Sequence, residues 1–139
     1  MKASATKKNG VLHFYFEGEL DEHAARQIRR RIDAFIDENA AAESAVFHLT
    51  HVTFMDSTGI GFFIGRYKKL AVYSIPAYFA DVGCEADKVL SLSGVYTVVP
   101  KLPPAADQYA AGQSAGQGAA GQYVAGRETD HSINGGRRA

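Results

Sequence analysis

The sequence predicts an α/β fold: one domain with a mixed β-sheet of four or five strands and crossover helices packed mainly on one face. Segments with the two-residue alternation of strands take turns with segments of helical spacing. Such strand–helix–strand units call for crossover connections in a parallel or mixed sheet. The length of 139 residues suits a single domain with its own core. The chain is 46% hydrophobic and 22% charged, which places it among ordinary globular proteins.

The elements follow in order. "VLHFYFEG" (11–18) alternates Leu12, Phe14 and Phe16 against Val11, His13 and Tyr15, as a half-buried strand does. Asn9-Gly10 before it is a hairpin signal, pairing this strand with a short, weakly hydrophobic one at 3–7. Ala25, Ile28, Ile32, Phe35 and Ile36 then recur at helical spacing behind Asp21, a good N-cap. "AVFHLT" (45–50) is a strand, and "HVTFM" carries it to Asp56. Ile60, Phe63, Ile64, Tyr67 and Ala71 predict a second helix over 57–72. A strand is expected at 75–82, with Pro76 at its start, then a short helix stopped by Gly94, and a last strand in "YTVVPKL" (96–102).

Residues 1–111 are the expected domain, ending in a short helix behind Pro103 and Pro104. Residues 112–139, rich in Ala, Gly and Gln, bury too little apolar surface to fold alone and are expected to be a flexible tail.

Several classes are disfavoured at once. Fifteen basic and fifteen acidic side chains cancel, so no net field points to nucleic acid or an anionic membrane. The run Arg26, Arg29, Arg30, Arg31 is followed by Asp33, Asp37 and Glu38, and reads first as a solvated helix face. The lone Cys84 excludes an internal disulfide and a multi-cysteine zinc site, and is expected to be structural. No apolar run resembles a signal peptide or approaches membrane-span length, so the expected location is the cytoplasm. No metal or cofactor is implied.

The chemistry concentrates in "MDSTGIGFFIG" (55–65). Asp56 or Ser57 suits an N-cap, worth about 1 kcal/mol. A cap accounts for one polar side chain, however, not for Asp56, Ser57 and Thr58 in succession. Gly59 and Gly61 in the first turn each weaken a helix by up to ~1 kcal/mol relative to Ala, and would leave the hydroxyls uncovered to an approaching partner. A serine hydrolase needs a nucleophile elbow, which Met55-Asp56-Ser57-Thr58-Gly59 is not. It also needs a base, and no spacing nominates His13, His23, His48, His51 or His131. An aspartic-protease pair is lacking, and the glycines at 59, 61 and 65 miss the dinucleotide and P-loop patterns. Gly61 and Gly65, one turn apart, fit close packing of the helix against a neighbour. There remains a hydroxyl that receives a phosphate, whose charge a helix N-terminus tolerates without refolding.

These residues carry a resemblance. "TFMDSTGIGFFIGRYKK" (53–69) resembles the signature of STAS-domain anti-sigma-factor antagonists, in particular the sporulation antagonists. "FEGELDEHAARQIRRRID" (16–33) resembles their Gly-Glu-Leu-Asp motif and first helix, and "LSLSGVYTVV" (90–99) their third helix. "AADQYAA" (105–111) resembles the start of their last helix.

The resemblance implies a protein with no enzymatic activity of its own. Unphosphorylated, it would bind an ATP-dependent anti-sigma factor that is also a serine kinase, and so free a sigma factor. Phosphorylation of Ser57 would end this, and a metal-dependent serine phosphatase would restore it. Asp56 and Thr58 flank the acceptor, and Asp21 is expected at the same end of the sheet. With Gly59, Gly61, Phe62 and Arg66, these residues form the expected partner surface, Phe62 and Arg66 lying on an outward stripe with Lys69 and Tyr73. The setting is sporulation or stress response, with sporulation favoured. The rival readings are a STAS ligand-sensing or scaffold module with an unused serine and, further off, a small serine hydrolase.

Overall fold

Asn9 and Gly10 both take positive φ, 52° and 83°, as a two-residue hairpin turn of the inverted type requires. They join β1 (Lys2–Lys8) to β2 (Val11–Leu20) in antiparallel register, Lys8 opposite Val11. The computed structural model describes residues 1–103 and the backbone of 131–132. After β2 come α1 (Glu22–Glu38), β3 (Ser44–Met55), α2 (Ser57–Val72), β4 (Ala77–Ala80), α3 (Cys84–Ser93), a 3-10 turn at Val95–Thr97, and β5 (His131–Ser132).

The sheet order is β4-β3-β2-β1-β5. β2, β3 and β4 run parallel, and β1 is antiparallel to both its neighbours, so the sheet is mixed. Successive parallel strands step in one direction, and right-handed crossovers therefore place α1 and α2 on one face. That face is phenylalanine-rich. Phe14 sits opposite Phe47, and Phe47 opposite Phe79, across the strands. Phe35 of α1 meets Phe14 edge-on at 5.7 Å, and Phe63 of α2 lies 5.1 Å from both Phe47 and Phe79. Leu90 of α3 is fully buried in the same core.

Two strand expectations are corrected. The segment expected to be strand over 75–82 is strand only from Ala77 to Ala80. The expected strand at 96–102 is the 3-10 turn followed by a single bridge, Lys101 beside Phe79. Val95 and Val99 are the buried residues there, four apart, which is helical spacing rather than strand spacing. Pro100 lacks the N–H that a longer ladder needs, though its carbonyl accepts from Phe79 N at 2.9 Å. The expected last helix from residue 105, the boundary at 111 and the tail at 112–139 lie outside the described residues, except that His131 and Ser132 pair with Ala5 and Ser4 of β1.

Candidate functional site

The register places Leu20 opposite Met55, so β2 and β3 end level with each other. The next residue in each case is an aspartate that starts a helix. Asp21 accepts from Ala24 N at 2.9 Å and Asp56 from Thr58 N at 3.0 Å, both with extended backbone. Two helix N-termini, and with them two sets of outward N–H dipoles, thus share the carboxyl end of the parallel strands. Ligands in α/β folds gather at this end.

Ser57 is the first residue of α2 and is exposed. Because Asp56 supplies the capping oxygen, the Ser57 hydroxyl is not needed to hold the helix. Thr58 is half-buried and Gly59 buried. A Cβ on Gly59 would lie 2.5 Å from Met55 Cγ and 3.3 Å from Leu20 Cδ2. Gly59 therefore serves the seating of α2 on the strand ends. Gly61 and Gly65 behave in the opposite way: a Cβ on either would meet nothing within 4 Å. The close packing expected of that pair belongs to Gly59 instead. Gly61 and Gly65 border an open groove of about 350 Å³ between α1 and α2, shared with Glu22, Arg26, Arg29 and Thr58.

Phe62 and Arg66 are not outward. They are 5% and 7% exposed, and the buried set of α2 is Gly59, Phe62, Phe63, Arg66 and Leu70. Relative to the stripe read from Ile60, Phe63, Ile64 and Tyr67, the helix is turned by one residue, about 100°. The physical reason is α1. Phe62 packs edge-on to Phe16 at 6.0 Å, and the Arg66 guanidinium lies 5.0 Å over the Phe62 ring. Arg66 Nε is 2.8 Å from Asp33 Oδ1 of α1. Burial pulls the Arg66 guanidinium below its ordinary pKa, and Asp33 opposes that shift. The partner charge on α1 makes this burial tolerable. Lys69 and Tyr73, the rest of the expected stripe, both bind Asp37 of α1.

The aromatic side chain that does face solvent here is Phe54, 46% exposed and two residues before Asp56. β3 carries two extra residues relative to β2, one between His48 and His51 and one at Thr53, so the alternation reverses twice and Phe54 ends on the face away from Phe47 and Leu49. Sequence periodicity holds no signal for either irregularity, and Phe54 was not among the residues expected at the site.

A second polar constellation lies on the sheet face away from the helices. His48 Nδ1 is 3.0 Å from Asp81 Oδ2, and His48 Nε2 is 2.9 Å from His13 Nδ1. With the carboxylate taking the Nδ1 proton of His48, Nε2 is the acceptor and His13 the donor. Tyr15 stacks on His48 at 4.5 Å. Burial, with His48 and Lys8 adding to it, pushes the His13 pKa down to about 3. The hydrogen bond from His48 holds Asp81 below its ordinary range. Beside them is a cavity of about 400 Å³ bordered by Tyr15, Glu17, His48, Thr50, His51 and Asp81. His48 stands eight residues before Asp56 on one strand, roughly 25 Å away at strand rise, so this His–Asp pair does not serve Ser57.

Among the described residues no three His, Cys, Asp or Glu side chains come together as a metal site. No described helix is long and apolar enough to cross a membrane. Cys84 is exposed at the start of α3.

Residues 2–108 match the STAS domain family. The anti-sigma F factor antagonist of Paenibacillus polymyxa is 33% identical over 91 residues, covering 66% of this chain and 77% of that protein. The anti-sigma factor antagonist SpoIIAA in its unphosphorylated form superposes with a TM-score of 0.57 at 27% identity, over 67% of this chain and 80% of the other. The Bacillus cell fate determinant SpoIIAA in the phosphorylated form superposes with a TM-score of 0.58 at 24% identity, over 78% and 99%. The last of these likenesses concerns the fold.

Proposed function

The chain belongs to the STAS domain family, and from that premise we propose that it is an anti-sigma-factor antagonist switched by phosphorylation of Ser57. The unphosphorylated form binds an anti-sigma factor, an ATP-binding serine kinase, and so releases a sigma factor in the cytoplasm during sporulation. Phosphorylation by that kinase ends the binding, and a metal-dependent serine phosphatase reverses it. The observation that carries the reading is Ser57 itself, exposed at the first helical position with the cap supplied by its neighbour.

A phosphoryl group there adds nearly two negative charges. The α2 N-terminus accepts them, so the fold is kept while the surface changes. The new charge stands beside Asp56, with Glu19 and Asp21 at the end of the neighbouring strand. A partner fitted to the neutral hydroxyl meets a crowded, strongly negative rim. Asp21, Asp56, Thr58, Gly61 and the exposed Phe54 complete the contact surface. Phe62, Arg66 and Gly59 contribute by fixing where α2 lies.

The test is intact-mass analysis after incubation with ATP and the anti-sigma F factor of Paenibacillus polymyxa. A gain of about 80 Da, absent in Ser57→Ala, is the expected result. An unmodified protein alongside a kinase that phosphorylates its own antagonist would remove the switch. It would leave the cavity beside His48 and His51 as the feature to pursue, in a ligand-sensing module.

A further inference from the structure

We propose that the groove between α1 and α2 is an anion-accepting dock, in which the partner of the preceding section lays an acidic segment across Gly61 and Gly65 with its carboxylate against Arg26 and Arg29. The inference rests on the antagonist reading and adds the chemistry of the partner's contact.

The two glycines are the first argument. Each weakens the interior of α2 relative to Ala. Neither is required by its neighbours, since a Cβ at either position meets open space. Nothing inside the domain uses their smallness. What they create is a stretch of bare helix backbone, floored by Ala25 and Phe62, that another chain can approach closely.

Charge is the second argument. Arg26, Arg29 and Arg66 line the groove together with Glu22, and Asp33 pairs with Arg66. Arg66 is committed to Asp33. Arg26 bonds Glu22 at 2.9 Å, an exposed pair one turn apart that is easily exchanged. Arg29 is exposed and, among the described residues, has no ion-pair partner. A planar cation without a partner at the lip of an apolar slot suits a carboxylate, which it can hold through two parallel hydrogen bonds. The opening of about 350 Å³ takes a few side chains and not a nucleic-acid duplex, and the chain as a whole is charge-balanced. The arginine run of α1, a solvated face by composition, is thereby divided into groove-facing residues and the rest.

Position is the third argument. Thr58 borders the groove, one residue after the phosphate acceptor. A phosphoryl group on Ser57 would bring negative charge to the mouth of the slot and oppose entry of the partner's acid. The switch and the dock are then one electrostatic device.

The experiment is titration calorimetry of the full chain against the anti-sigma F factor of Paenibacillus polymyxa, with thermal unfolding of each variant. Arg29→Glu and Gly65→Leu are expected to weaken the complex about tenfold or more while the unfolding midpoint does not fall. Lys88→Glu, the same change of charge on an exposed residue of α3 away from the groove, should stay within about twofold. A normal complex with both groove variants overturns the dock and leaves the antagonist reading standing. No complex with the unaltered protein overturns the antagonist reading itself.

Discussion

Two polar clusters occupy this sheet, and they are built on opposite terms. At the carboxyl ends of β2 and β3, Ser57 is exposed and Asp21, Asp56 and Thr58 are half-buried, and only the two aspartates are spent on capping backbone. On the open face, His13 and His48 are nearly buried and are joined to each other and to Asp81. The first cluster can change its charge with little effect on the fold, because water and helix dipoles already solvate that end. The second cannot, because a proton added to His13 would be a charge without water. One chain thus separates polar residues open to water from polar residues that hold the sheet together, and the difference is solvent access rather than residue type.

Acid should break the comparison most strongly. His13 takes a proton near pH 6.5 when unfolded but only near pH 3 when folded. Between those values the unfolded chain binds more protons, so stability falls as pH drops through the window. The full loss, reached below about pH 3, is of order 5 kcal/mol. Asp81, whose pKa is depressed in the fold, loses its contribution in the same direction at still lower pH. Urea denaturation from pH 7 to pH 4 should show the slope, and His13→Asn should flatten it. Equal slopes in the two proteins would mean that His13 does not carry the effect.

Next in size is a contrast within α2. Gly59→Ala forces a methyl group into Met55 and should lose about 1–3 kcal/mol. Gly65→Ala, in open space, should gain up to about 1 kcal/mol. Denaturant midpoints shifted in opposite directions would show that Gly59 serves packing and that nothing inside the domain needs Gly65.

Smaller again is the cap. Asp56→Ala removes the acceptor for Thr58 N and should lose about 1 kcal/mol. Smallest is Ser57→Ala, expected within about 0.5 kcal/mol of the native protein in chemical denaturation. A loss near that of Asp56→Ala would show that the hydroxyl supports the fold and is not held in reserve for modification.

Much of this was legible beforehand because it is local. The hairpin at Asn9-Gly10, the cap at Asp21 and the stop at Gly94 are properties of two to four adjacent residues and appear where those residues predict, and of the two cap candidates Asp56 and Ser57 the structure uses Asp56. The errors share a different origin. Val95 to Leu102 is rich in β-branched residues, yet Val95 and Val99 anchor it at helical spacing. Phe62 and Arg66 look like an interface pair until Asp33, 33 positions before Arg66, supplies the counter-charge. The pairing of His48 with Asp81 and His13 depends on three strands lying side by side, and no spacing could nominate it.

By itself, then, the sequence determined the alternating α/β architecture, the helix starts and the run of polar side chains at the start of α2, because these follow from neighbours along the chain. Tertiary structure alone decided which face of α2 turns inward, which glycines pack and which lie open, and that Phe54 rather than Phe62 faces solvent. The reason is physical. A helix carrying apolar residues on more than one side has several acceptable rotations, and a strand with a one-residue bulge has two acceptable faces. Only the charges and rings brought by the neighbouring elements choose among them.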